Sequence, residues 1–598
     1  MEPEEHEYTV HGDIERTVKI RLYWVSEAAN GHKWPIKLFA ECTCEGFAVA
    51  NAVARLIARE GMRSEFLDIM NQLIREMRDI GIQLFDRYVV VLEKYKHHQH
   101  QKGKGVWRKN LDHGPIFFFE TIHISAPALR RRGLGQKLVS LLLNKAQKYI
   151  LSAKGDGQYA DLLYGSHEAF ERIWTLHAFI KPEIKRAGAK SYILKRNSEE
   201  RLMIMNQIQL CAITFWRSCG FRRIGASPYF AYSFDLQRPS HSLETNSDFD
   251  LQGSHSEDSE NEILTNFCQR YCFFNLPYLK LERIRHDKPL HHAAIVLSDE
   301  RLKAFLISSI THNHNWHDVT LFQSTLLHLT ARAFKPQSTR WLVENIPFSQ
   351  CWLAYRDFEG HTPIEALQDR LESLRTRREY GALQFVDVAD SFRGHPEEAV
   401  ACLALLFEKT FVRIDTECIR YGCTCRECLA GFLSPRMKRA LIFQANAMYD
   451  FMNQQMTDGK HWAEFNDFNL EQLDPRLRSH LEFSISIRQG FISIFQIVIE
   501  CLRANVVPTA GAISQYCDNH SQQHQYAKSY LECAGAQVGC YGVLRQIFNA
   551  AIEEDQRAGS GVCRRKSKRT WTDPPNCRND YEYEFVAERC GYARKWRN

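Results

Sequence analysis

Residues 116–136 read IFFFETIHISAPALRRRGLGQ. The first nine are rich in aromatic and β-branched side chains, which predicts a strand. In ideal alternation Phe118, Glu120, Ile122 and Ile124 share one face, and Phe117, Phe119, Thr121 and His123 the other. Pro127 ends the strand, because its fixed φ and missing N–H cannot continue a ladder. Beyond it Leu134, Leu138, Leu141 and Leu142 recur at the spacing of a helix stripe buried on a sheet. Between strand and helix stand Arg130, Arg131, Arg132, Gly133, Leu134, Gly135 and Gln136. They put a run of backbone N–H groups at a helix start, with glycines where a phosphate could approach the main chain, which makes a candidate pyrophosphate cradle. The glycine spacing is not the dinucleotide fingerprint, and the Gly-Lys-Ser/Thr ending of a P-loop is missing. The plain alternative is an ordinary strand–turn–helix with solvated arginines.

Residues 209–221, QLCAITFWRSCGF, predict a helix closed by Gly220 at its C′ position, with Phe221 to Ile224 starting the next strand. Residues 229–234, YFAYSF, alternate as a last strand, and 176–182, LHAFIKP, read as a central one. The basic, polar run from Lys185 to Arg201 reads as an insertion. Two of these segments resemble motifs of the GNAT-type N-acetyltransferases. Arg130, Gly133 and Gly135 fill R/Q-x-x-G-x-G/A after a strand, and Ala212, Phe215, Trp216, Gly220 and Phe221 fill A-x-x-(aromatic)-Tyr-x-x-x-G-F. The resemblance spans about residues 18–235 and is specific within the two motifs. It implies an α/β domain, a GNAT-like mixed sheet flanked by helices, that takes acetyl-CoA as co-substrate. The pyrophosphate would lie on Arg130 to Gln136, and the pantetheine arm along the backbone of Ile122, His123 and Ile124. It also implies Glu120 as the candidate base and puts Trp216 in the place of the acid. Trp216 departs from the family's tyrosine, since an indole N–H donates a hydrogen bond without being a useful acid near neutral pH. The His123 side chain points the other way and reads as structural.

The chain of 598 residues is long enough for several domains, and its 44% hydrophobic and 25% charged residues are those of ordinary globular material. A net charge of +6 over this length does not indicate nucleic acid. No apolar run approaches the length of a membrane span, and the opening MEPEEHEYTV is acidic without a signal core, so the expected setting is intracellular, cytoplasmic and/or nuclear. The 19 cysteines then read as reduced thiols with some possible metal ligands. Residues 1–17 read as an N-terminal tail, and 236–263, dominated by serine and acidic residues, as a flexible linker.

Beyond the linker, KPLHHAA from Lys288, TLLHLTA from Thr325 and TPIEALQ from Thr362 follow at constant steps of 37 residues. Self-similarity on that scale predicts a stacked repeat over 264–400. The segments resemble the T-P-L-H-x-A-A signature of ankyrin repeats, with Glu365 in the histidine's place in the third. The resemblance implies a protein partner and makes His291 and His328 structural. Residues 401–598 read as a helical, cysteine-containing region. Cys418, Cys423, Cys425 and Cys428 lie within eleven residues and offer thiolates for zinc, or form a set of buried inert thiols. Cys517, His520, Cys533 or Cys540 are distant candidates to complete a site. This block resembles a G-C-T-C-x-x-C…G-F-L-S-P-R-M sequence found beside ankyrin-type repeats in filamentous fungal proteins. The basic run Arg564 to Arg569 reads as a nuclear address, an anion patch or a solvated loop. These expectations describe an acetyl-CoA:amine N-acyltransferase with an interaction module and an acceptor amine that the sequence does not name. The alternative is a non-enzymatic scaffold whose GNAT-like domain is degenerate or senses CoA.

Overall fold

The structure, a computed structural model, describes residues 3–11, 15–26, 36–57, 70–153, 177–182, 198–250, 285–558 and 574–592. Gaps within those ranges fall at 71–72, 74, 87–88, 286–287, 312–315, 320–322, 358, 381–384, 389–391, 411–414, 455–457, 471–472, 576 and 581. The chain forms two compact units, Met1–Ile284 with Arg356–Gly360, and Arg285–Tyr355 with His361–Asn598.

The first unit is built on a mixed sheet of β1 (Glu4–Val10), β2 (Arg16–Ser26), β3 (Ile36–Cys44), β4 (Phe47–Ile57), β5 (Ile116–Ile124), β6 (His177–Ile180), β7 (Arg222–Arg223) and β8 (Phe230–Ser233). Their spatial order is β1-β2-β3-β4-β5-β6-β8-β7. Every neighbouring pair is antiparallel except β5 and β6. Helix α1 (Arg75–Leu84) belongs to a cluster that includes Phe85, Trp107, Phe118, Phe179 and Tyr229. Helix α2 (Leu134–Ala153) packs on β3, β4 and β5. Its Leu134, Leu138 and Leu142 are fully buried in a second cluster with Phe117, Phe119, Val18 and Leu38. Helix α3 (Ser198–Ser218) ends at Gly220, whose φ of +88° is the left-handed turn expected there.

Three expectations change. Residues 4–10, expected within a tail, are strand β1, in continuous register with β2 from Glu4 opposite Leu22 to Val10 opposite Arg16. An edge strand needs only one apolar face, and this one alternates glutamate with half-buried residues until Val10. Residues 236–250, expected at the start of the linker, fold onto the sheet: Asp248 accepts from Arg217 at 3.0 Å and Asp250 at 2.7 Å, while Arg222 donates to the Leu243 carbonyl at 2.7 Å. Asp248 and Asp250 thus pair with arginines of this unit. Residues 251–263, like 185–197 of the expected insertion and the basic run 564–569, lie outside the described residues.

The third change lies in β5. The β4/β5 register passes from Val53 opposite Thr121 to Ala54 opposite Phe119, leaving Glu120 as the extra residue of a β-bulge. A one-residue insertion reverses the alternation. Phe117 and Phe119 before it, and Ile122 and Ile124 after it, pack in the α2 cluster, whereas Phe118 packs in the other. Glu120 therefore does not share a face with Ile122 and Ile124.

The second unit begins with paired helices: α4 (Pro289–Val296) with α5 (Asp299–Ser309), α6 (Leu326–Arg332) with α7 (Pro336–Asn345), and α8 (Pro363–Thr376) with α9 (Glu397–Lys409). Helix α6 packs between α4 and α8, and α7 between α5 and α9, so the pairs stack as two rows. Each motif of the 37-residue step starts the first helix of a pair. A bundle follows, with α10 (Pro435–Met452), α11 (Ile485–Arg503), α12 (Ala510–Asn519), α13 (Gln525–Ala534), α14 (Ala536–Ala558) and α15 (Tyr583–Arg589). Helix α11 is, among the described residues, long and apolar enough to cross a membrane, with a mean hydropathy of 1.4, but Phe491, Ile494, Phe495, Ile497 and Val498 are buried inside the bundle. It is the central core helix of that cluster.

Candidate functional site

In the first unit the candidate site grows from the parallel pair among the described strands. The β5/β6 ladder runs from Ile116 opposite His177 to Phe118 opposite Phe179, while β5 continues to Ile124. The bulge at Glu120, on the β4 side of β5, stands just past the last β5/β6 pair. The outer half of β5 leads through Pro127 into the start of α2, so the strand edge and the helix N-terminus lie at the same end. Arg130 ties the turn back to its strand, donating from Nε to the Ile124 carbonyl at 3.0 Å and from Nη2 to Ser125 at 3.4 Å. Arg131 takes a left-handed φ of +59°, and Arg132 donates to the His11 carbonyl at 3.4 Å. Gln136 reaches across to Ser218 on α3 at 2.9 Å. Leu134 is buried and His123 exposed, while Ile122 and Ile124 are half-buried.

Both glycines of the turn have reasons inside the protein. Gly133 has φ +82°, and a Cβ there would lie 2.8 Å from the Tyr8 hydroxyl. At Gly135 a Cβ would meet the Phe215 ring at 3.1 Å and Ile124 at 3.9 Å. The residues that the two motifs contribute are thus packed on one another, and β1 supplies a wall that was not foreseen.

Of the two candidate catalytic side chains, neither stands free. Glu120 accepts from Arg55 Nε at 2.5 Å, and that guanidinium is 1% exposed. The carboxylate neutralises a buried arginine in the sheet. Trp216 is 6% exposed and lies against Phe119, Phe215 and Phe221 with ring centroids 5.0–5.2 Å apart. This placement makes it a packing residue, whatever occupies the same motif position elsewhere.

The repeated motifs show how each residue is used. Thr325 caps α6, and its N–H and hydroxyl both point at His328 Nδ1, at 3.3 and 2.9 Å. The far ring nitrogen donates to the His361 carbonyl at 3.0 Å, which fits a neutral ring protonated on Nε2. Burial pushes His328 down to about 4, and His291 in the preceding motif likewise to about 4. In the third motif Glu365 takes over half of the task, accepting from the Thr362 N–H at 2.8 Å while its own N–H donates to Thr362 Oγ1 at 3.4 Å.

The cysteines converge, though not as the sequence block suggests. Cys423, Cys425, Cys428 and Cys577 bring their sulfurs within 4.8 Å of one another. Successive Sγ–Sγ distances are 3.6 Å (Cys423–Cys425), 3.7 Å (Cys425–Cys428), 3.5 Å (Cys428–Cys577) and 3.9 Å (Cys577–Cys423). Four thiolates about 2.3 Å from one tetrahedral cation would lie about 3.8 Å apart. The cluster could therefore bind a metal ion. Main-chain N–H groups of Arg426, Glu427 and Thr424 donate to Cys423, Cys425 and Cys577 at 3.2, 3.4 and 3.4 Å, and Asn579 donates to Cys428 at 3.6 Å. Such donors favour thiolate over thiol. Without a cation the charge cannot be shared evenly: hydrogen bonds from Cys423 and Cys428 draw Cys577 well below the thiol range, and bonds to Cys423 and Cys577 push Cys428 up.

Cys418, expected as a ligand, is not one of the four. It sits 3% exposed in the short helix Thr416–Arg420, and burial pushes it up to about 12. The distant candidates are not there either: Cys517 and Cys540 are buried in the bundle core, and Cys533 faces His480 at 3.5 Å. Cys577 was missed because it stands 149 residues beyond Cys428 with no cysteine at ligand spacing beside it. The one available signal was Asn-Cys-Arg-Asn-Asp directly after Pro574-Pro575, a polar turn with a single soft ligand. No protein family, curated protein or solved structure matches this chain.

Proposed function

We propose that the first unit is an acetyl-CoA-dependent N-acyltransferase acting on an amine. The observation that carries this reading is the parallel β5/β6 ladder that stops at Phe118 while β5 runs on to a helix start. A strand edge freed in this way offers alternating N–H and C=O groups to an extended, amide-bearing ligand, as in strand addition. The same edge ends at the first-turn N–H groups of α2, which favour a diphosphate. A ligand with an amide chain at one end and a diphosphate at the other has the chemistry of coenzyme A. The pantetheine would follow Ile122, His123 and Ile124, and the diphosphate would meet Gly133 to Gln136, with Arg131 and Lys137 nearby in sequence. Acyl transfer then requires an amine free of its proton and donors for the tetrahedral oxyanion. Glu120 remains the nearest carboxylate on the strand, and it serves as base only when the acceptor competes with Arg55 for it.

The stacked helix pairs, with His328 bonded to the loop of the next motif, support an ankyrin-like module that recruits a protein partner or the acceptor. For the cysteine cluster, all-sulfur ligation and the tetrahedral spacing favour zinc. A scaffold that binds CoA without turnover is the second reading, favoured by the pairing of Glu120 and the burial of Trp216.

Thermal unfolding of the full chain with CoA, pantetheine and adenosine 3′,5′-diphosphate tests the binding step. CoA should raise the first unit's transition more than either fragment, because a ligand that binds only the native state stabilises it. No shift at millimolar CoA overturns the assignment. Transfer of labelled acetyl to a panel of peptides and polyamines then separates the enzyme from the CoA-binding scaffold. Gly133→Val is a poor probe of the cradle, because the new side chain would collide with Tyr8 whether or not a phosphate binds there.

A further inference from the structure

Cys577 opens a segment that the second unit holds tightly. Asn579 donates to the Gly431 carbonyl at 3.0 Å and accepts from Arg375 at 2.9 Å, and Arg375 also meets Glu582 at 3.2 Å. Asp580 accepts from Ser434 at 2.6 Å and from the Cys577 N–H at 3.0 Å, with Arg436 at 3.3 Å. Helix α15 then places Phe585 against Phe392, Tyr421 and Phe432, at ring distances of 5.4, 5.6 and 5.8 Å. Two of those rings, Tyr421 and Phe432, flank the loop that carries the other three cysteines.

That loop is in an unusual conformation. Gly422, Arg426, Ala430 and Gly431 all have left-handed φ, at +66°, +66°, +51° and +78°. Gly431 approaches the short helix before it so closely that a Cβ would lie 2.4 Å from the Glu417 carbonyl. Two non-glycine residues in the left-handed region, and four sulfurs in mutual contact, oppose the arrangement. A dication bound by all four offsets both, and because a preformed site is absent from the unfolded chain, its binding energy is folding energy.

We infer that the metal centre is a latch: its cation ties residues 577–592 to the 423–428 loop, and loss of the cation frees that segment from the helical unit. The inference rests on the zinc reading given above. All four positions are sulfur and none is left for water or substrate, which makes the centre a closed structural one. Cys418 lies outside it, so its thiol is dispensable to the metal although it is three per cent exposed and adjacent in sequence.

The test uses the full chain purified under reducing conditions, with zinc alone as the probe. Metal analysis should give one zinc per chain, and cobalt substitution should give the absorption of a tetrahedral tetrathiolate. Hydrogen exchange, read before and after removal of the metal by a chelator, should show at least a tenfold faster exchange in 583–592, with β2 to β5 unchanged. Cys577→Ser should lose the metal and show the same exposed segment, whereas Cys418→Ser should keep both metal and protection. A chain that binds no zinc overturns the zinc reading itself. Stoichiometric zinc with unchanged exchange in 583–592 after chelation overturns the latch and leaves the zinc reading standing. Loss of metal in Cys418→Ser with retention in Cys577→Ser overturns the ligand set. The chelation arm uses the unmutated chain, so it decides the matter even where a variant fails to fold.

Discussion

Glu120 shows how much a single residue decides. As a bulge it changes which side chains β5 buries, and as a carboxylate it neutralises Arg55, which is 1% exposed. Replacing it with alanine should cost about 3 kcal/mol of stability, because an ion-paired arginine loses its charged partner inside the sheet. Glu120→Gln keeps an acceptor at the same place but still leaves the Arg55 charge unneutralised, so it should also be destabilising, by less than Glu120→Ala. Urea unfolding of the two variants checks this, and equal stability of Glu120→Ala and the parent would refute the structural role. Any kinetic effect of Glu120→Gln is informative only at temperatures well below its own transition. The sequence made the strand, the turn and the leucine stripe of α2 legible, because periodicity and proline are local signals. The bulge was not legible: IFFFETIHI alternates equally well in either phase after position 120, and the phase is set by pairing with Ala54 and Val53.

At the scale of elements, the capped helices carry the repeat. Thr325 closes a box with His328, and Thr362 closes the same box with Glu365. Thr325→Ala should destabilise the second unit by about 1 kcal/mol, the usual worth of an N-cap, and Thr362→Ala by a similar amount. His328→Gln should cost more than Thr325→Ala, since it also abandons the bond to His361, and denaturant titration of the three variants ranks them. Gly431→Ala belongs here too. Its φ of +78° and the 2.4 Å approach to Glu417 require the loop to move, so a loss on the order of 2 kcal/mol or more and weaker metal retention are expected. Retention of both metal and melting temperature would show that the loop adapts. The helix starts were readable from Pro289 and Pro363 and from the 37-residue step, since caps and prolines act within one turn. The edge strand β1 was not, because its alternation of glutamates with His6 and Tyr8 resembles a solvated tail until β2 is beside it.

For the whole molecule, the buried histidines set a pH dependence. His291, His328 and His395 are each pushed by burial from an ordinary 6.5 to about 4. All three stay neutral in the folded chain while the unfolded chain takes up protons below about 6.5. Their stabilisation is complete above that value and is lost as the pH falls from about 6.5 to about 4, by as much as about 3 kcal/mol per histidine. Melts of metal-stripped protein at pH 7, 6 and 5 should show the helical unit's transition falling steadily, and a flat profile would contradict the burial. Removing any bound metal beforehand keeps acid-driven metal release out of the comparison. Division into an α/β and a helical part was legible from composition and period, but the four-cysteine cluster was not, because the proximity of its members is a property of the folded chain alone. The distance along the chain between Cys428 and Cys577 has a consequence for synthesis. At ribosomal rates of about 5–20 residues per second, roughly 7–30 s separate the two residues as they are made. During that interval the nascent chain has three of the cluster's four sulfurs, so on the zinc reading an early ion would be held loosely and exchange with cellular thiols. If the cluster holds zinc as proposed, chains stalled before residue 577 should surrender it to a mild chelator that released chains withstand, and the completed centre would then record that translation has passed that codon.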